Sequence, residues 1–467
     1  MTRREALRYL SASAAGLTTI TLRAQNPPGQ QSRPDSFKVY SERPRLLLRP
    51  ARLRLLRRER ERRSLRWDQF ETLWTAGAPF PEQGWAQALR FQIADDRDAG
   101  TRAVAWAVGP GDPTRPDDVR QMALIADWCA PLLSRDDQSQ LFAKLQRAAA
   151  DPRPAKTLTE ARAKVFAAIV LAEAQPAVSE KAIQTVFDTF WTPFIASLRS
   201  AKSAVSNADA YALLEIMHAL RDNLNFDLRE TFPEWFRQYP LLHLLAHYPA
   251  PWPGGENEFR IPADGTIEKT GPDVFKAALS RAAELAMVAF DSNGASSQLL
   301  QGWLTNDRFL MRGGYGMPYE LMWANPYQPG LSYYHAPLAL HDEIGGQLFV
   351  RSTWEDDASW IGFFDGQLQI FKEGEVTRAD PATSREPLDI DTAVVFFARQ
   401  SKRFAVARDK DEKDAAVFIV GLDPGRAYHV EVDGEEMSEE RADPGGIVFL
   451  PVVPSGGVRL GPAPASA

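Results

Sequence analysis

One cysteine in 467 residues, Cys129, excludes an internal disulfide framework, a Cys-x-x-Cys redox pair and any all-cysteine metal site. Six histidines leave few groups for acid–base or metal chemistry, so each can be weighed separately. No stretch of about 18–20 apolar residues occurs, and no segment reads as a membrane span. Positive charge is not in excess either. Fifty-four Lys and Arg against 61 Asp and Glu give a formal charge of −7, which argues against general nucleic-acid binding. No Walker sequence and no GxSxG elbow is present, and Gly313-Gly314-Tyr315-Gly316 is not a dinucleotide fingerprint. What remains is a chain with 34 Pro and 30 Gly, long enough for two or three domains.

Residues 1–24 read as an export signal. Arg3, Arg4 and Arg8 precede a mildly apolar stretch from Tyr9 to Leu22, and Arg23-Ala24 closes it. Thr2-Arg3-Arg4-Glu5-Ala6-Leu7 resembles the twin-arginine type, which implies a periplasmic or extracellular protein. Removing the segment leaves 50 basic and 60 acidic residues, a charge of about −10. Pro27, Pro28, Gly29, Ser32 and Pro34 mark residues 25–40 as a linker.

From residue 41 to 305 apolar residues recur at helical spacing. Leu158, Ala161, Val165, Ile169 and Ala172 share one face, as do Phe275, Ala278, Leu279, Ala282, Leu285, Ala286 and Phe290. Breaks rich in Asp, Ser and Pro separate ten to twelve such segments without a fixed repeat length. Many helices of this size in succession predict stacked antiparallel hairpins, open or curled into an incomplete (α/α) toroid. Between 345 and 462 the period becomes two. Leu348, Val350, Ser352 and Trp354 alternate with Phe349, Arg351 and Thr353, and Asp365-Gly366 and Asp433-Gly434 mark hairpin turns. Eight or nine short strands predict a short antiparallel β-sandwich. Residues 306–344, rich in Gly, Pro, Tyr and Trp, show no period and read as an irregular interdomain segment of functional or interface character.

The run Pro44-Arg45-Leu46-Leu47-Leu48 followed by Pro50 resembles the opening of the heparinase II/III-like and alginate-lyase group, as does Leu348 to Trp354 with Trp360 and Gly366. The order of export signal, helical toroid and β-sandwich is similar too. The resemblance implies β-elimination on an acidic, uronate-containing polysaccharide. The group usually carries a His-x-His-x-Asp run after the first sandwich strands; Gln367 to Asp380 contains no His, so no role of that run carries over.

β-Elimination needs a base, an acid and a group that neutralises the substrate carboxylate. Tyr333-Tyr334-His335, preceded by Trp323 and Tyr327, is the richest cluster: aromatic faces for sugar rings beside titratable groups. Tyr334 and His335 are the candidates for base and acid, Asn207 or Arg260 for the carboxylate partner. Tyr211, Trp252, Glu256, Trp323, Tyr327 and Tyr333 complete the expected binding set. Each has a structural alternative: a packed aromatic interface for Tyr333–His335, a helix N-cap for Ser206 or Asn207, a solvated loop for 252–260. His218 reads as a core histidine. His243 and His247 are four apart, yet His243-Leu-Leu-Ala-His247 lacks the Glu of HExxH, so the expectation is no metal and no cofactor. Two other functions stay open: a non-catalytic polysaccharide-binding or scaffold protein on a degenerate lyase fold, or a glycoside hydrolase pairing Glu256 or Glu258 with Asp209 or Asp307. The sequence does not set the oligomeric state.

Overall fold

The computed structural model describes residues 39–462, apart from 201–204, 207–208, 255–256, 264, 266–270, 307–309, 380–385, 391, 399–402, 407–415, 433–435 and 451–455. The expected signal, Asn207, Glu256, Asp307 and the Asp433-Gly434 turn lie outside the described residues. Lys38–Ala467 forms one compact unit in which helices precede antiparallel sheets.

The helices are α1 (Pro50–Glu61), α2 (Leu65–Thr75), α3 (Gln83–Ala94), α4 (Arg97–Val108), α5 (Pro116–Trp128), α6 (Arg135–Ala149), α7 (Leu158–Leu171), α8 (Pro176–Val186), α9 (Thr192–Leu198), α10 (Ala210–Leu224), α11 (Pro233–Leu245), α12 (Val274–Phe290), α13 (Ala295–Asn306) and α14 (Met317–Trp323). Their starts follow the sequence signals. Proline opens α1, α5, α8 and α11, where its missing N–H costs nothing. Ser64, Asp96, Ser134, Thr157 and Asp273 accept hydrogen bonds from the first-turn amides of α2, α4, α6, α7 and α12.

Packing follows a ladder. α3, α5, α7, α10 and α12 each pack on the next, α14 packs on α12, and α14 also meets α2. α4, α6 and α8 pack outside α3, α5 and α7. The members of the ladder are buried on most of their circumference, including Ala161 to Leu171 of α7. The Leu46-Leu47-Leu48 run plugs into this core: the Asp127 carboxylate accepts the Arg45 and Leu46 amides at 2.7 and 2.9 Å, and Trp128 Nε1 donates to the Leu46 carbonyl at 2.9 Å. Burial lifts the Asp127 carboxyl to about 6 and the Cys129 thiol to about 12, which leaves Cys129 unreactive.

The C-terminal residues build three sheets rather than the two of a simple sandwich. In chain order the strands are β1 (Trp252–Gly254), β2 (Asn257–Phe259), β3 (Ala339–Asp342), β4 (Gln347–Arg351), β5 (Trp360–Phe364), β6 (Gln367–Lys372), β7 (Glu375–Arg378), β8 (Leu388–Asp389), β9 (Ala393–Phe397), β10 (Arg403–Val406), β11 (Ala416–Val420), β12 (Ala427–Val432), β13 (Glu436–Arg441), β14 (Val448–Leu450) and β15 (Gly456–Pro462). The sheets run β3-β4-β5-β6-β7, β14-β11-β9-β8 and β10-β15-β12-β13, and β9 with β11 is a parallel pair among antiparallel ones. Alternation on the middle sheet explains the layering. Ala393, Val395, Phe397, Phe418 and Val420 pack against Leu348, Val350, Ile361 and Phe363 of the first sheet. Val394, Phe396, Val417 and Ile419 pack against Val430, Val458 and Leu460 of the third. A sheet covered on both faces reads as an unbroken apolar run, and Ala393-Val394-Val395-Phe396-Phe397 is such a run.

The Asp365-Gly366 turn is a two-residue hairpin loop between the paired Phe364 and Gln367, with φ of 51° and 69°. The outer face of the first sheet meets α11: Trp360 Nε1 donates to the Leu245 carbonyl at 2.8 Å, and Gln238 Nε2 to Asp342 at 3.0 Å. Residues 306–344 are less irregular than their composition indicates. They hold α14, a 3-10 turn at Tyr333–His335 and β3, each too short to display a period.

Candidate functional site

The segment after α14 lies against α13 by backbone contact. The Leu331 amide donates to the Gln298 carbonyl at 2.9 Å, and Gln301 Nε2 donates to the carbonyls of Asn325 and Gln328 at 3.2 and 3.1 Å. A Cβ on Gly302 would sit 1.7 Å from the Leu331 carbonyl oxygen, so only glycine permits this approach. The result is a shallow depression of about 480 Å³ between Gly302, Thr305 and Asn306 on one side and Pro326 to Ser332 on the other. Tyr327, 52% exposed, stands on its wall, and Tyr334, 53% exposed, follows two residues beyond it.

Tyr333 is the buried support of this surface. Its ring stacks on Tyr334 with centroids 4.4 Å apart and meets Trp354 edge-on at 5.8 Å. Burial is the first cause that raises the Tyr333 hydroxyl, followed by its hydrogen bond with Tyr334. His335 is exposed at the end of the same turn. The guanidinium of Arg260 acts electrostatically on Tyr333 and opposes the rise. Arg260 Nη1 donates to the Pro249 carbonyl and to Asp356 Oδ1, both at 2.8 Å, and the guanidinium lies 6.0 Å from the centre of the Trp303 ring. Arg351, whose charge is disfavoured by burial and by Arg260, lies over Trp354 at 4.7 Å.

Trp252–Gly254 and Asn257–Phe259, within the segment expected as a loop, instead pair as β1 and β2 with Trp252 opposite Phe259. Trp252 is 45% exposed on it, and Arg260 follows directly after β2. Arg260, Tyr333, Tyr334 and His335 therefore belong to one neighbourhood where helices meet the first sheet.

Tyr211 and Trp323 do come together, but in the core. Trp323 Nε1 donates to the Tyr211 hydroxyl at 2.9 Å, both residues are buried, and neither offers a face to a sugar. They border a hub that the sequence spacing does not announce. Arg120, fully buried, grips Glu215 through Nε and Nη2 at 2.8 and 2.7 Å and Glu82 at 2.8 Å. Arg162 adds a second cation on Glu215 at 2.7 Å, and the rings of Trp85, Tyr211 and Tyr319 surround the Arg120 guanidinium. Burial alone would raise the Glu215 carboxyl, but the two arginines carry it below its ordinary value. Such a buried network of paired charges is scaffolding. His218 is likewise a core residue, its Nε2 3.0 Å from the Ala286 carbonyl. Ahead of α10, Ser206 Oγ accepts the Asp209 amide at 3.1 Å and donates to the Asp209 carboxylate at 2.7 Å, so the capping hydroxyl is that of Ser206.

Among the described residues, one group has the donor set of a metal centre: His243, His247 and Glu284, all buried. The histidine pair lacks the glutamate of an HExxH helix. The carboxylate comes instead from α12, where Ser280 and Glu284 repeat the four-residue spacing of the two histidines. That repetition is the one signal the sequence held for it.

No family model matches this chain, and no curated protein matches it.

Proposed function

We propose that this is an exported carbohydrate-active protein built like the heparinase II/III-like lyases, an incomplete (α/α) toroid followed by β-sheets, and that it cleaves a uronate-containing polysaccharide by β-elimination. The observation that carries the reading is the surface from Tyr327 to His335. Half-exposed Tyr327 lines the depression, half-exposed Tyr334 and exposed His335 follow just beyond its edge, and Arg260 acts on the adjoining Tyr333, a combination that stacks sugar rings while offering acid–base groups. The toroid part is supported by the α3-α5-α7-α10-α12 ladder with outer helices and by the contact of α14 with α2. The export part rests on the Arg3-Arg4 segment alone.

In this mechanism Arg260 pairs with the uronate carboxylate and makes the neighbouring carbon more acidic. Tyr334, as its phenolate, takes the proton from that carbon and becomes the phenol, the electron pair forms the ring double bond, and the bond to the glycosidic oxygen breaks. His335 delivers a proton to the departing oxygen. Trp252 and Tyr327 hold flanking sugars.

A panel of uronate polymers, followed by ultraviolet absorbance for the unsaturated product, tests this. New reducing ends without that absorbance identify a hydrolase instead. The Arg260–Asp356 ion pair favours one further reading, a non-catalytic binder, because Arg260 already has a carboxylate partner. Polymer binding with neither product supports that reading.

A further inference from the structure

We propose that His243, His247 and Glu284 bind one divalent transition-metal ion of the zinc class, in a closed structural site that fastens the end of α11 to α12. His243 lies in the last turn of α11 and His247 just past its end, while Ser280 and Glu284 occupy successive turns of α12. Glu284 Oε1 is 3.5 Å from His243 Nε2 and 3.3 Å from His247 Nε2. Ligand atoms held at about 2.0–2.2 Å in a tetrahedron stand about 3.3–3.5 Å apart, which is the spacing observed. Ser280 Oγ, 3.1 and 2.9 Å from the same two ring nitrogens, closes a further side of the cluster.

Proton accounting points the same way. His247 Nδ1 is 2.9 Å from the His243 carbonyl, which can only accept, so Nδ1 carries the proton. Nε2 of His247 is thereby the ring atom that faces Ser280 Oγ at 2.9 Å and the Glu284 carboxylate at 3.3 Å. The Nδ1 bond to a backbone carbonyl is also the outer contact that orients a metal-binding imidazole. Two imidazoles and one carboxylate suit zinc, cobalt or nickel better than calcium or magnesium, which favour all-oxygen sites. With all three ligands buried and Ser280 Oγ on a further side, the site is closed to solvent, so the ion there would be structural.

The site also anchors the Arg260 loop. The Tyr248 amide donates to the Ile261 carbonyl at 3.0 Å and the Ala263 amide to the Ala246 carbonyl at 2.8 Å, so His247 is the root of the segment bearing Trp252 and Arg260. Its ring lies 6.2 Å from Trp303, the ring under Arg260. The metal proposal does not depend on the sugar reading, and its test uses no polysaccharide.

The full chain, purified without chelators after growth with zinc, is assayed by elemental mass spectrometry. One zinc per chain is expected, and a lower melting temperature after stripping with a strong chelator. Cobalt added to the stripped chain should give the visible absorption of tetrahedral coordination, lost when zinc is returned. Glu284→Gln and His247→Gln should weaken zinc binding by about 100-fold or more, above the cost of losing an outer-shell contact. If those variants do not fold, the wild-type cobalt spectrum decides alone. A folded wild-type chain that takes up neither ion and melts identically with chelator overturns the proposal. So does zinc retained equally by both folded variants.

Discussion

Arg260 Nη1 donates to Asp356 Oδ1 at 2.8 Å, and the Asp356 side chain is 61% exposed to solvent. An exposed pair of this kind contributes at most about 1 kcal/mol, so a substrate carboxylate can displace Asp356. Asp356→Asn should therefore lower KM for a uronate polymer and change kcat little. Arg260→Ala should raise KM and lower kcat together, because carboxylate neutralisation grows in the transition state. Steady-state kinetics on both variants measures this; an unchanged KM in each removes Arg260 from the site.

Tyr334→Phe keeps the ring and deletes the hydroxyl. Turnover should fall about 10²–10⁴-fold, the usual worth of a positioned acid or base, while polymer binding stays within a few-fold. His335→Ala should lose a similar factor. Binding by calorimetry beside absorbance kinetics separates the two effects.

Gly302→Ala places a methyl group against the Leu331 carbonyl oxygen. Both groups belong to main-chain-determined positions, so the 326–332 segment must lift from α13. A loss of about 1–3 kcal/mol is expected, as for other overpacked sites. Urea denaturation measures it, and sugar affinity should fall in parallel because Tyr327 rides on that segment.

Glu215→Gln removes the shared anion of Arg120 and Arg162 and leaves two cations facing each other in the core. Removing one partner from such a buried group costs about 3–5 kcal/mol. Chemical denaturation should show this loss with no change in metal content, which separates the hub from the His243 cluster.

Asp127 gives a pH signature. Its folded carboxyl is raised to about 6 by burial, ahead of the opposing amide bonds and Arg45. The folded chain holds that proton more tightly than the unfolded chain does. The contribution is full below the unfolded value and is lost as pH rises through about 6, a change of about 3 kcal/mol. Asp127→Asn should flatten this decline, so the stability difference between variant and wild type should shift with pH between 4 and 7. Melting curves across that range measure it; a constant difference contradicts the assignment.

Much of the fold was legible where the chain leaves local traces. The 158–172 segment became α7, opened by the Thr157 cap and buried on most of its circumference rather than on one face, and Asp365-Gly366 became a hairpin turn because a positive-φ turn demands such residues. The three-sheet layering was not legible, since Ala393 to Phe397 and Ala416 to Val420 are covered on both faces and lose their alternation. Phe275 shares the apolar period of α12 but is exposed, edge-on to Tyr315. For the site, chemistry-bearing residue types were visible while their surroundings were not. Tyr211 and Trp323 have the composition of sugar platforms yet close over each other inside the helices. Glu284 lies 37 positions after His247, and only tertiary packing brings it to the histidines.

The central claim is β-elimination at Tyr334 and His335, and the most direct measurement is the ultraviolet absorbance of unsaturated product from uronate polymers. The prediction is a rise with the wild-type chain that Tyr334→Phe abolishes. No rise on any polymer of a broad panel, from a folded wild-type chain, contradicts it.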